Sequence, residues 1–151
     1  MRPLAVMQPE GMVDRSTRNY TIGLGMVLGA LAVVWILSSW DPGASKLNAL
    51  LASDAELAAY PYQFRAESLK DGVATLKSPR SFDVPVIRFL AVIDPQLVGR
   101  EADHPDVMAA QAALAHHQKR AQAIVEGQPE VKAVRWVLDR GWYAARGITI
   151  Q

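Results

Sequence analysis

Residues 20–40, YTIGLGMVLGALAVVWILSSW, run for twenty-one positions without a charge. At 1.5 Å per residue such a helix is about 30 Å long, the thickness of a bilayer's hydrocarbon core, so the run predicts a transmembrane helix. Tyr20 and Trp40 bracket it at the positions where aromatic rings settle at headgroup level, and Trp35 lies just inside. Arg2, Arg15 and Arg18 precede the run, whereas Lys46 is the one early basic residue after it, beside Asp41, Asp54 and Glu56. That asymmetry predicts a cytoplasmic N-terminus and a C-terminal domain on the trans side, in a bacterial inner membrane with its domain in the periplasm. A cleavable leader is the rival reading; the length of the run and the absence of a small-x-small site in DPGASK favour an uncleaved anchor.

The expected organisation is a tail over 1–19, a transmembrane helix over 20–40, a linker over 41–45 and a periplasmic α+β domain over 46–151. In the domain, Leu47, Leu50, Leu51, Leu57 and Ala58 recur at helical spacing up to Pro61, and Ser53 with Glu56 forms a capping-box pattern. Residues 62–69 and 73–77 flank Lys70-Asp71-Gly72, which predicts a hairpin because glycine accepts positive φ. The β-branched run Val84, Val86, Ile87, Val92 and Ile93 favours a strand, while Val86, Phe89, Leu90, Ile93 and Leu97 also fit a helix.

Residues 104–126 read as a long helix with a seam of Val107, Ala110, Leu114, Ala121, Ile124 and Val125, ended by Gly127. The last segment alternates over Val134, Trp136 and Leu138, then Trp142, Ala144, Ile148 and Ile150, with Asp139-Arg140-Gly141 as the expected turn; a helix over 131–142 is the alternative. These elements predict an α+β fold: a single N-terminal transmembrane helix followed by a small domain with an antiparallel sheet and two helices, one sheet face or edge being free for strand addition by a partner.

Charge adds little to this picture. Setting aside Arg2, Arg15 and Arg18 leaves thirteen of the sixteen Lys and Arg for residues 41–151, and setting aside Glu10 and Asp14 leaves thirteen of the fifteen Asp and Glu. A balanced domain gives no reason to expect nucleic acid as a partner. There is no cysteine, so neither disulfides nor thiol chemistry belong to the protein.

Candidate chemistry is sparse. Gly25 and Gly29 form a GxxxG pair that would let another helix pack closely, which points to other membrane-protein subunits or to self-association. His116 and His117 are adjacent, so on a helix they point about 100° apart and do not converge on one metal ion. Glu101, Asp103 and Asp106 cluster at a helix start, where the macrodipole accounts for them. No serine stands in a glycine-flanked nucleophile turn, and phosphate loops and dinucleotide fingerprints are missing. Arg80, in the turn Ser78-Pro79-Arg80-Ser81, is suited to a carboxylate or a lipid phosphate. Trp136, Trp142 and Tyr143 read as core or hairpin residues that become interface anchors where exposed, with Arg135, Arg140 and Arg146 as a polar rim.

Gly72 to Leu76, followed by a helix and PEVKAVRWVL, resembles the small BON domains of bacterial envelopes, a pattern that the stretch from Ser81 to Pro105 interrupts. The expected anchor, the short linker, the neutral domain and the lack of a catalytic constellation point to a non-enzymatic subunit, without cofactor, metal or catalytic residues, in an envelope assembly of the secretion, conjugation or pilus type. The alternatives are an accessory subunit of a respiratory membrane complex and a membrane-anchored periplasmic enzyme or ligand-binding domain.

Overall fold

The structure, a computed structural model, describes residues 15–39 and 41–150, with side chains over 20–36 and 41–150. It divides into two compact units at the Trp40–Asp41 junction. The first unit contains helix α1 (Arg15–Ser39). Among the described residues no helix is long and apolar enough to cross a membrane, which corrects the transmembrane and single-pass expectation for 20–40. Helix α1 opens on the charged and polar residues 15–19 and not on the apolar run itself. Residues 1–14 and Trp40 lie outside the described residues, and with them most of the expected tail over 1–19 and the second aromatic bracket; residues 15–19 belong to α1.

The second unit is a mixed α+β domain with several helices and a three-stranded sheet in the order β1-β2-β3. It starts with α2 (Pro42–Ser53), for which Asp41 is the N-cap and Pro42 sits in the first turn, where its missing N–H costs nothing. The short α3 (Ala55–Ala59) follows; its cap is Asp54, whose side chain accepts from Leu57 N, and the Ser53 hydroxyl instead turns back to Leu50 O.

Strands β1 (Ala66–Lys70) and β2 (Val73–Ser78) form the expected antiparallel hairpin, with Lys70 opposite Val73. Asp71 and Gly72 take φ of 53° and 82°, the double positive φ of the tight turns that match strand twist. A bulge between Ala66 and Ser68 breaks the register.

Beyond the hairpin the sheet departs from expectation. Residues 86–93 form a helix, α4 (Val86–Ile93), followed by a 3₁₀ turn (Pro95–Leu97). The β-branched propensity of this run loses to burial, because helical spacing places Phe89 and Leu90 together in the core.

Helix α5 (Pro105–Glu126) runs as expected, with Val107, Leu114, Ala121 and Val125 buried. Its cap is the His104 ring, which accepts from Asp106 N, rather than one of the neighbouring carboxylates. The chain then returns as β3 (Ala133–Leu138), which pairs with β2 in parallel, Leu76 opposite Trp136. The expected all-antiparallel sheet is thus a mixed one: α4 and α5 carry the chain back before β3, and such a crossover, unlike a hairpin, brings the strand in parallel.

No final hairpin forms among the described residues, because the Asp139 side chain accepts from Trp142 N and caps a short helix, α6 (Arg140–Ala144), where the turn was expected. The core under the sheet joins Leu47, Leu51 and Leu57 to Tyr62, Phe64, Leu76, Phe89, Leu90, Leu114 and Tyr143.

Candidate functional site

The two outer edges of the sheet differ. Along β1, side chains from the N-cap and the second turn of α2 replace a neighbouring strand: Asn48 Oδ1 accepts from Ala66 N at 2.8 Å, Asn48 Nδ2 donates to Ala66 O at 3.0 Å, and Asp41 Oδ2 accepts from Leu69 N at 2.8 Å. The Gly43 backbone makes room for this contact, since a Cβ there would stand 2.9 Å from Leu69 Cδ2. Burial pushes the Asp41 carboxyl up, but the hydrogen bonds from Ala44, Leu69 and Gly43 and the charge of Lys70 outweigh it and hold the group below its ordinary value. These bonds satisfy polar groups that an edge strand otherwise presents to other chains.

Strand β3 has β2 as its one sheet neighbour, so its outer edge is unpaired among the described residues. Ala133 N and Asp139 N donate to Gly72 O and Ser78 O across the parallel pair. Alternate residues of a parallel strand bond the neighbour, so Val134, Trp136 and Leu138 turn their N–H and C=O groups to the open side.

Beside this edge, between α5 and the ends of β2 and β3, lies a cleft of about 520 Å³. Ser78, Arg80, Ser81, Phe82, Gln118, Lys119, Gln122 and Trp136 line it, together with Ala115. Its polar wall is ordered from within: Gln118 Nε2 donates to Ser78 Oγ at 3.0 Å, Gln118 Oε1 accepts from Arg80 Nε at 3.1 Å, and Trp136 Nε1 donates to Gln122 Oε1 at 3.3 Å. Phe82, in the loop at the rim, is fully exposed. The lining thus holds two cations, amides, hydroxyls and two aromatic rings, and no carboxylate.

The residues expected to form an interface do not gather into one patch. Trp136 and Trp142 are both half-buried and lie on either side of the Tyr62–Phe64 pair, with ring centroids 6.1 Å from Phe64 and 5.9 Å from Tyr62 respectively. Tyr143 is fully buried, its hydroxyl donating to Pro79 O. The exposed Arg135 reaches Thr75 Oγ1, and Arg140 reaches Ile150 O. Arg146 lies over the Trp142 ring at 3.8 Å, a cation–π contact. Gly25 and Gly29 have nothing within 4 Å of where a Cβ would stand, and the large apolar side chains around them on α1 are exposed.

The histidine pair gains a partner that sequence spacing hid. Glu56, on α3, brings Oε1 to 2.6 Å from His116 Nε2 and to 4.0 Å from His117 Nε2, while Arg120 bridges Glu56 and Asp54 at 3.0 and 2.8 Å. His117 Nδ1 faces Ala113 O at 2.7 Å, and its ring stacks on Tyr60 at 4.1 Å. The group ties α3 to α5, and among the described residues no cluster of three His, Asp, Glu or Cys converges on a metal position.

The Arg120 guanidinium lowers Asp54 from 3.8 to about 2. Its contribution to stability is therefore complete above about pH 3.8 and lost as pH falls toward 2. In Arg120→Leu, thermal melts between pH 4 and pH 2 are expected to lose part of their acid dependence; an unchanged profile would show that the pair does not couple to folding.

Burial raises Tyr60 and Tyr143 to about 12 and lifts Tyr62 further, with Asp139 as a second cause, so none of the three is poised as a base at neutral pH.

No family model, curated protein or solved structure matches the chain, so the resemblance to BON domains carries no argument.

Proposed function

We propose that this chain is a non-enzymatic accessory subunit of a multi-protein assembly, joined to its partner by strand addition at the outer edge of β3. The observation that carries this reading is the contrast between the two edges, one satisfied by Asp41 and Asn48 and the other left as a template. An enzyme is the weaker reading because the cleft beside β3 offers cations and amides for binding but no paired acid and base.

Helix α1 supplies a second contact. Exposed apolar surface on this scale marks a covered face in the working protein, and the open Gly25–Gly29 face suits another subunit's helix. Replacing both glycines with leucine is expected to reduce copurification of the partner severalfold while the circular dichroism of the chain stays the same; undiminished copurification would remove α1 from the interface.

The test of the function itself is gentle extraction of the tagged chain from its source, followed by size determination and identification of its companions. A large particle with other subunits in fixed ratio is expected, and the companions would name the machine, whether of secretion, conjugation, pilus or respiratory type. A lone monomer or dimer would overturn the reading, as would association with lipid alone.

A further inference from the structure

We propose that the strand added beside β3 belongs to an extended, acidic segment of the partner, whose carboxylates enter the cleft at Arg80 and Lys119. This rests on the reading of β3 as the docking edge and adds the chemistry that the edge selects. Hydrogen bonds from a backbone to Val134, Trp136 and Leu138 would hold any extended chain, so sequence preference has to come from what the alternate side chains meet.

In an added strand every second side chain points the same way, at steps of about 6.7 Å, and those on the α5 side face the cleft. There they meet a lining whose two charged residues, Arg80 and Lys119, are both cationic. Of the cations outside the cleft, three are ion-paired: Lys46 with Glu130 at 2.6 Å, Arg120 with Asp54 and Glu56, and Lys77 more loosely with Glu67 at 3.9 Å.

Arg80 and Lys119 are not. Arg80 spends its Nε on the neutral Gln118 amide, and Lys119, exposed on α5, has no ion pair among the described residues. None of the nearby acids lines the cleft: Glu126 accepts from Gln122 Nε2, Asp139 accepts from Tyr62 and Trp142, and Asp83 lies one residue past Phe82. Gln118 holds the Arg80 guanidinium beside Ser78, so the cation is positioned before any ligand arrives. The Trp136 ring and exposed Phe82 give the intervening aliphatic stems a surface to lie on.

The test uses the intact chain and three blocked, dye-labelled hexapeptides that alternate valine with glutamate, glutamine or lysine, read by fluorescence anisotropy. The glutamate peptide is expected to bind at least about tenfold more tightly than its glutamine isostere, and the lysine peptide not at all. Raising salt from tens of millimolar to about 0.5 M is expected to erase most of that preference. Lys119→Glu and Arg80→Glu, both at exposed positions, should each invert it, while circular dichroism verifies the fold.

Val134→Pro removes an outward N–H and should abolish binding of every peptide; amide shifts at Trp136 and Leu138 on adding the glutamate peptide to the unsubstituted chain give the same information without a substitution. Equal binding of the glutamate and glutamine peptides, with the amides of β3 shifting, would overturn the acidic preference and leave strand addition standing. Glutamate-peptide binding that shifts no β3 amide and survives Val134→Pro would overturn the added strand. No binding by any peptide would overturn both.

Discussion

Replacing Tyr62 with alanine is expected to destabilise the domain by about 4 kcal/mol, the cost typical of truncating a buried aromatic. Tyr62 is fully buried and is the hub of an aromatic cluster, with ring centroids 5.0 Å from Phe64, 5.7 Å from Phe89 and 5.9 Å from Trp142, all edge-on. Each such pair adds about 1 kcal/mol to the area it buries, and truncation leaves a void bordered by elements that do not collapse independently. The hydroxyl donates to Asp139 Oδ2 at 3.1 Å, while Asp139 Oδ1 caps α6. Tyr62→Phe should accordingly cost about 1 kcal/mol, the net worth of one hydrogen bond. Urea unfolding followed by circular dichroism measures both. A loss below about 1 kcal/mol for the alanine variant would mean that the cluster is not part of the cooperative core.

Asp41→Ala is expected to cost about 2 kcal/mol, because one carboxylate serves two elements. Its Oδ1 accepts from Ala44 N at 2.9 Å and caps α2, while Oδ2 accepts from Leu69 N and closes the edge of β1. Losing the side chain frays the helix start and leaves a strand N–H unpaired. Because the folded carboxyl lies below 3.8, its stabilisation is complete above that pH and is lost as pH falls through the folded value. Denaturant midpoints should therefore separate wild type from Asp41→Ala at pH 7 and draw together as pH falls below 3.8. A gap that does not narrow in acid would show that the ionised group is not responsible. Loss of the edge closure should also make the variant more prone to associate through β1.

Signals carried by neighbouring residues were legible in the sequence. Asp71-Gly72 sets its own turn through positive φ, and the hairpin follows. The seam of α5 was visible in the spacing from Val107 to Val125 because a helix reports its buried face every three to four residues. Arg80 was visible as an arginine in a turn, suited to a carboxylate or a lipid phosphate. What the sequence could not show was its company: Lys119, Gln118 and Trp136 lie tens of residues away, and nothing local records that they line one cleft. Glu56 was hidden from the histidine pair for the same reason, sixty residues upstream of His116.

By itself, then, the sequence determined the apolar run of α1, the first hairpin and the long helix, each fixed by periodicity or turn chemistry within a few residues. Tertiary structure decided the rest. Burial of Phe89 and Leu90 turned an ambiguous β-branched run into a helix, and the Asp139 side chain chose a helix cap over a hairpin turn. Return of the chain through α5 made β3 parallel to β2, which left one edge of the sheet open beside two unneutralised cations. Strand order and edge exposure depend on contacts far apart in sequence, and such contacts form only when the core that holds them has closed.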